Sequence, residues 1–292
     1  MFEGFRQERI TTAGAEINLR IGGTGPPVLL LHGFPQTHAM WHEVGPRLAR
    51  RHTVVCPDLR GYGDSSNPPG GDDHAGYSKR AMAADQIEVM AALGFERFAV
   101  VGHDRGARVA HRLALDHAER LTRVALLDIV PTWEMFRSVS QAMATSYYHW
   151  FFLIQPDGLP ERMIGLDPDF FLRECLRRWS AGRDGFFSRE AVAEYIRCFR
   201  DPGNVHSACE DYRAGASIDL EHDEPDLGKV SELPLLVLWG AHGRLAALFD
   251  VPGVWGARFP NVQARSLPCG HFLVEERPDE TTAELRSFLD GS

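Results

Sequence analysis

Four short apolar runs, at residues 28–31, 53–56, 98–101 and 124–130, are rich in Val and Leu and are separated by stretches that read as helices, among them 78–93 and 108–117. A short apolar run without polar alternation suits a strand covered on both faces, and strands that alternate with helices suit right-handed crossovers. The spacing therefore predicts an α/β fold: a mostly parallel sheet flanked by helices. Ahead of it, residues 8–22 alternate apolar and polar around Ala13-Gly14, the pattern of a β-hairpin. After Pro131 the alternation stops, and the chain is aromatic and helix-like to about residue 221. Strand character returns at 233–239 and 262–267, followed by a helix over 279–289. The expected organisation is a core made of residues 1–130 and 222–292, with a helical cap inserted at 131–221. At 292 residues this is one core with an insertion rather than two independent cores.

Charge narrows the partners. Lys and Arg number 31 against 40 Asp and Glu, a formal charge of -9, and no basic run tracks a phosphate backbone, so nucleic acid is not expected. An anionic substrate would have to meet positive charge gathered locally. The five cysteines (Cys56, Cys175, Cys198, Cys209, Cys269) are odd in number and contain no C-x-x-C pair, which reads as reduced thiols. The first nine residues carry charge where a secretory signal needs an apolar stretch, and no apolar run reaches membrane length, so a cytoplasmic protein with no membrane partner is expected. Neither a clustered metal-ligand set nor a glycine-rich phosphate loop is present, so no metal and no cofactor are expected.

The chemistry concentrates at Val101-Gly102-His103-Asp104-Arg105-Gly106-Ala107. A strand end, a residue bracketed by glycines and a helix start resemble the G-x-nucleophile-x-G turn of the α/β hydrolases, here with Asp104 in the nucleophile position. The small flanking residues permit a cramped turn that pushes the central side chain out of the sheet, and the helix N-terminus favours an anion there. A carboxylate attacks a saturated carbon to give an ester that water then cleaves, which points to halides or epoxides as substrates. The plainer alternative is an Asp that caps the helix. His271, in Gly270-His271-Phe272 between the last strand and the last helix, is the candidate base. Three residues past Gly240, where many such hydrolases carry the orienting acid, stands Gly243. Asp128, closing the apolar run 124–130, is then the first candidate for that role and Asp250 the second. The turn His32-Gly33-Phe34-Pro35 resembles the H-G-x-P turn of the same fold, so Phe34 and Arg105 are candidate oxyanion donors.

Together, Gly102-His103-Asp104-Arg105-Gly106-Ala107-Arg108, Leu127-Asp128-Ile129-Val130-Pro131-Thr132, Tyr148-His149-Trp150, Cys209-Glu210-Asp211-Tyr212-Arg213-Ala214-Gly215 and Gly270-His271-Phe272 resemble the haloacetate (fluoroacetate) dehalogenases. The likeness runs over nearly the whole chain, including the helical insertion. It implies a small haloacid substrate, with Arg105 and Arg108 holding the carboxylate and His149, Trp150 and Tyr212 donating hydrogen bonds to the departing halide. It also implies a homodimer. Trp179 is a further candidate for the pocket wall. Tyr147 to Phe152 also reads as an amphipathic helix that merely packs its rings. An epoxide hydrolase would share Asp104 and His271 but protonate its substrate with paired tyrosines, for which Tyr147 or Tyr148 with Tyr212 are candidates. A non-catalytic receptor on the same fold would leave some catalytic position degraded, and none is.

Overall fold

The computed structural model describes residues 1–183 and 185–291. Strands β1 (Arg6–Thr11) and β2 (Glu16–Gly22) form the expected hairpin around Ala13-Gly14. They continue into β3 (Pro27–Leu31), β4 (Thr53–Pro57), β5 (Phe98–His103), β6 (Leu121–Leu127), β7 (Leu235–Gly240) and β8 (Val262–Leu267). All eight make one sheet in the order β1-β2-β4-β3-β5-β6-β7-β8. β2 pairs antiparallel with β4, and every pair from β4 to β8 is parallel. Burial follows position. β5 is buried along its whole length, whereas the outer strands β1 and β8 expose part of their residues to solvent.

From β3 the chain goes out to β4 on one side and then crosses to β5 on the other. β3 and β5 are thus neighbours whose connections leave in opposite directions, the switch point at which α/β sheets open a crevice beyond their carboxyl ends. The ends of β3 and β5 carry His32-Gly33-Phe34 and His103-Asp104.

Two boundaries differ from the sequence pattern. The apolar run 124–130 is not all strand: β6 stops at Leu127, because Asp128 adopts φ 55 and turns the chain out of the extended conformation. Ile129 and Val130 stay buried, but in the connection that follows. The helix expected from residue 108 begins at Arg105, directly after Asp104, and ends at Asp116; Arg105 and Gly106 carry no apolar signal to reveal its first turn.

Between β6 and β7 lie eight α-helices among the described residues, from Thr132–Arg137 to Ile218–Asp223, and no strand. Their starts are written locally: Ser140 accepts from Met143 N, Asp167 from Phe170 N and Asp201 from Gly203 N, with Pro168 and Pro202 opening two of the helices. The helix Pro202–Gly215 is buried almost throughout, since it lies between the other helices of the insertion and the core segment Ala75–Tyr77. No helix among the described residues is long and apolar enough to cross a membrane.

The turn that leaves β5 depends on the absence of a side chain at Gly106. A Cβ there would stand 2.4 Å from the carbonyl oxygen of His32 and 2.6 Å from the carbonyl of Leu31. Both are backbone atoms of the neighbouring strand end, so neither yields cheaply. Gly106→Ala is expected to lower the unfolding free energy by about 1–3 kcal/mol, the usual cost of overpacking, measured by urea denaturation. An unchanged denaturation midpoint would show that β3 and the helix start move apart freely.

Candidate active site

Asp104 sits between β5 and the helix Arg105–Asp116 with φ 47 and ψ -113, a conformation that an L-residue adopts only under constraint. Its carboxylate makes no capping bond to the helix, which disposes of the plainer reading; Oδ1 instead accepts from the Phe34 amide at 3.0 Å. Arg105 is the first residue of the helix, where a backbone N–H has no partner within the helix. Burial pushes the Asp104 pKa up, but the charges of His271, His103, Arg105 and Arg108 outweigh it and leave the pKa below the usual carboxylate value. The group is therefore an anion at neutral pH.

His271 occupies the turn after β8, and its Nδ1 contacts Asp128 Oδ2 at 2.6 Å. The other oxygen of Asp128 accepts from the Gly240 amide at 3.0 Å. The candidate base and acid thus come from the ends of β8 and β6, on either side of β7. Asp250 is elsewhere, exposed and capping the helix Val251–Gly256 through Gly253 N. Burial would lower the His271 pKa, yet the bond to Asp128 and the charges of Asp128 and Asp104 raise it above the ordinary histidine value. The turn is pinned further: Glu276 accepts from Gly270 N at 2.8 Å and Phe272 N at 3.1 Å, and His271 N donates to the Trp179 carbonyl at 2.9 Å. Nothing in the sequence pattern singles out Glu276, one of two adjacent acids in a helix start.

Arg105 is fully buried, and Asp211 holds it in three places: Nε donates to Oδ2 at 2.9 Å, and Nη2 to Oδ1 at 2.6 Å and to the backbone carbonyl at 2.7 Å. Asp211 also accepts from Tyr62 Oη at 2.7 Å and from Lys79 Nζ. Its pKa is depressed because the paired cations outweigh burial. Arg105 nevertheless keeps Nη1 buried and without a protein partner. Arg108 donates Nη1 to the Val130 carbonyl and to Thr132 Oγ1, both at 3.0 Å, and leaves Nε unpartnered. Burial and the neighbouring Arg105 bring Arg108 down to about 10, so it remains a cation at neutral pH.

The aromatic candidates gather against these cations. The Arg105 guanidinium lies 4.3 Å from the Tyr212 ring centre, and that of Arg108 lies 4.6 Å from Trp150. The His149 ring is 5.8 Å from Tyr212 and 4.3 Å from Trp179. Burial pushes His149 down to about 3, leaving a neutral ring, and its Nδ1 has no partner. No side-chain hydrogen bond among the described residues uses Trp150 Nε1 or Tyr212 Oη. Three potential donors therefore stand together unspent.

The cavity over Asp104 is walled by Asp104, Asp128, Ser146, Tyr147, His149, Trp179, Arg244 and His271. It is narrow, about 30 Å³ measured to the centre of a water-sized sphere. Arg105, Arg108, Trp150 and Tyr212 do not line it; Tyr212 packs on the wall residue His149, with the rings 5.8 Å apart, and on Trp150 at the same distance. Trp179 is on this wall, as is Tyr147, the tyrosine that the epoxide reading offers, while Ser146 and Arg244 join it without a sequence motif that singles them out. No group of His, Cys, Asp and Glu among the described residues is arranged to hold a metal ion.

A carboxylate presented on a strained turn at the switch point of a parallel sheet, with a histidine and its acid on neighbouring strand ends, defines a class of hydrolase, and residues 26–278 match the family of the α/β-hydrolase fold. The chain belongs to the haloacetate dehalogenases of that superfamily: it is 51% identical over its full length to a fluoroacetate dehalogenase from Burkholderia sp, of which it covers 96%. A soluble epoxide hydrolase from Corynebacterium sp. (strain C12) is 33% identical over 95% of this chain and 91% of the relative. Among solved structures, an α/β-hydrolase-fold protein from Nostoc sp PCC 7120 is 56% identical with TM-score 0.97, covering 99% of both chains. An epoxide hydrolase from an endophytic Streptomyces is 27% identical with TM-score 0.88, covering 99% of this chain and 96% of the other.

The pairing of Arg105 with Asp211 sets a stability test. Asp211→Asn leaves Arg105 buried without its anion and Lys79 with Asp219 alone, at 3.5 Å, which is expected to cost about 3–5 kcal/mol in urea denaturation. A loss below about 1 kcal/mol, the scale of a surface pair, would show that these cations are solvated in the folded protein.

Proposed function

We propose that this protein hydrolyses fluoroacetate and other haloacetates to glycolate and halide through an ester on Asp104. In the first step a carboxylate oxygen of Asp104 attacks the carbon that bears the halogen, from the face opposite to it. The carbon–halogen bond breaks with its electron pair leaving on the halide, so a chiral 2-halo acid is inverted. Arg105 and Arg108 hold the substrate carboxylate, and the donors of His149, Trp150 and Tyr212 meet the halide as its charge develops, where one such donor is worth about 3 kcal/mol. In the second step His271, oriented by Asp128, takes a proton from water as the oxygen attacks the Asp104 carboxyl carbon. The amides of Phe34 and Arg105 stabilise the oxyanion, the ester bond breaks, and glycolate leaves with the proton that His271 returns.

The observation that carries the proposal is the pairing of a buried, ionised Asp104 with two arginines that retain unpartnered nitrogens in a protein of formal charge -9. A neutral substrate has no use for them. The narrow cavity supports the same reading: its about 30 Å³ is some two or three times what one water molecule needs, which suits an acid of a few heavy atoms. The epoxide reading has one observation in its favour, Tyr147 on the cavity wall beside Asp104. Tyr148, its other candidate on that segment, is not on the wall. We infer further that residues 131–221 act as a cap over the core and that the protein is cytoplasmic, and a homodimer belongs to the proposal on the family likeness alone.

Halide and glycolate release from fluoroacetate and chloroacetate is expected for the wild type and abolished in Asp104→Asn, and a single turnover in labelled water is expected to place the label in Asp104. Label in glycolate alone would exclude the ester, and turnover of styrene oxide with no halide release would select the epoxide reading.

Because the base must be neutral to accept a proton, and its pKa lies above the ordinary histidine value, the second step is expected to slow as pH falls through that raised pKa. Esterification removes the Asp104 charge but leaves the Asp128 contribution in place. Ester trapped by acid quench should therefore increase toward low pH; a level independent of pH would remove His271 from the step.

A further inference from the structure

The cavity over Asp104 has a cation on its wall that the mechanism does not use. Arg105 and Arg108 do not line it, whereas Arg244 is part of the wall itself. It follows Gly243, the position at which the orienting acid is missing, and opens the short helix Arg244–Leu248 after β7. Its side chain is half-buried, and it shares the cavity surface with Tyr147, His149 and Trp179.

The partner of Arg244 is a neutral one. Its Nη1 donates to the carbonyl oxygen of Ser146, the last residue of the helix Gln141–Ser146 in the insertion, and no carboxylate among the described residues pairs with it. This contrasts with Arg105, Arg112, Arg197, Arg200 and Arg213, each of which faces one or more acids. A guanidinium bound only to a carbonyl can exchange that acceptor for a carboxylate with a gain, since a bond between two charged groups is shorter and about twice as strong as one involving a neutral partner. The bond to Ser146 also joins the insertion to the core at the edge of the cavity.

We propose that Arg244 is the residue that captures the substrate carboxylate at this cavity, exchanging the Ser146 carbonyl for the acid and passing it inward to Arg105 and Arg108. The inference rests on the reading of the substrate as a small monocarboxylate. Capture and release of the tie between insertion and core are then one event: the acid breaks the Arg244–Ser146 bond on its way in, and the bond reforms behind it. Local positive charge on the wall also answers the repulsion that the acidic surface exerts on an approaching anion.

Two variants separate charge from the structural tie. Arg244→Gln retains a donor for the Ser146 carbonyl but removes the charge, and Arg244→Lys retains the charge. Arg244→Gln is expected to raise KM for chloroacetate and the Kd for acetate, a non-reacting carboxylate followed by calorimetry, by about 10-fold. It should leave kcat within about 2-fold and flatten the dependence of kcat/KM on potassium chloride, because screening no longer has a capturing charge to act on. Arg244→Lys should recover most of both. Unchanged KM, Kd and salt dependence in Arg244→Gln would overturn the proposal, as would equal losses in both variants accompanied by a lower Tm, which would make Arg244 only a tie. A wild type that binds acetate through Arg244 but releases no halide would sink the dehalogenase reading and keep this one. A wild type that binds no acetate and releases no halide would sink both.

Discussion

A carboxylate with no exposure to solvent survives in a folded protein only if cations and hydrogen bonds replace its water, and Asp211 has all of these from the sheet side of the molecule: Arg105, Lys79 and the Tyr62 hydroxyl. Asp211 belongs to the helix Pro202–Gly215 of the insertion, while its partners belong to the core. The insertion therefore cannot shift over the sheet without leaving buried charge unpaired. Neighbouring residues of the same helix repeat the link, with Glu210 meeting His74 at 2.7 Å and Ser207 meeting Tyr77 at 2.7 Å. One consequence reaches the chemistry directly. Arg105 follows Asp104 in the chain, so the ion pair that registers the two layers also fixes the cation beside Asp104.

The electrostatic balance of the site follows from that arrangement. Asp104 is buried, which by itself favours its neutral form, and stays ionised only because His271, His103, Arg105 and Arg108 surround it. The same burial favours the neutral form of His149, to which no acid is hydrogen-bonded, and there it prevails. Charge thus stays on Asp104, Arg105 and Arg108, while the His149 ring nearby is neutral. Two strained residues complete the geometry. Asp104 and Asp128 both have positive φ, at the ends of adjacent strands β5 and β6; the carboxylate of Asp104 meets the Phe34 amide and that of Asp128 meets His271, and both line the same cavity.

How far the sequence reveals such a site depends on whether its signal is local. Val- and Leu-rich runs, a Gly-x-Asp-x-Gly turn and a Gly-His-Phe turn are patterns of neighbouring residues, and Asp104, His271 and Asp128 are legible from them and do come together. The identity of the acid partner to His271 is legible only as a choice, since Asp128 and Asp250 are both acids in plausible connections; contact with His271 Nδ1 selects Asp128. The last residues of the run 124–130 read as strand because hydropathy carries no information on the sign of φ at Asp128.

What the amino-acid order determined alone is the alternation of buried strands and helices and the chemistry available at their ends, because burial on both faces and a tight turn each demand particular residue types within a few positions. What only the tertiary structure decided is who meets whom: Asp211 with Arg105 across 106 positions, Glu276 with the amides that flank His271, and Arg244 with a carbonyl of the insertion 98 positions away. Such pairings are set by how the insertion packs on the sheet, and an acid or arginine in a helix looks the same in sequence whether it faces water or a buried counter-charge.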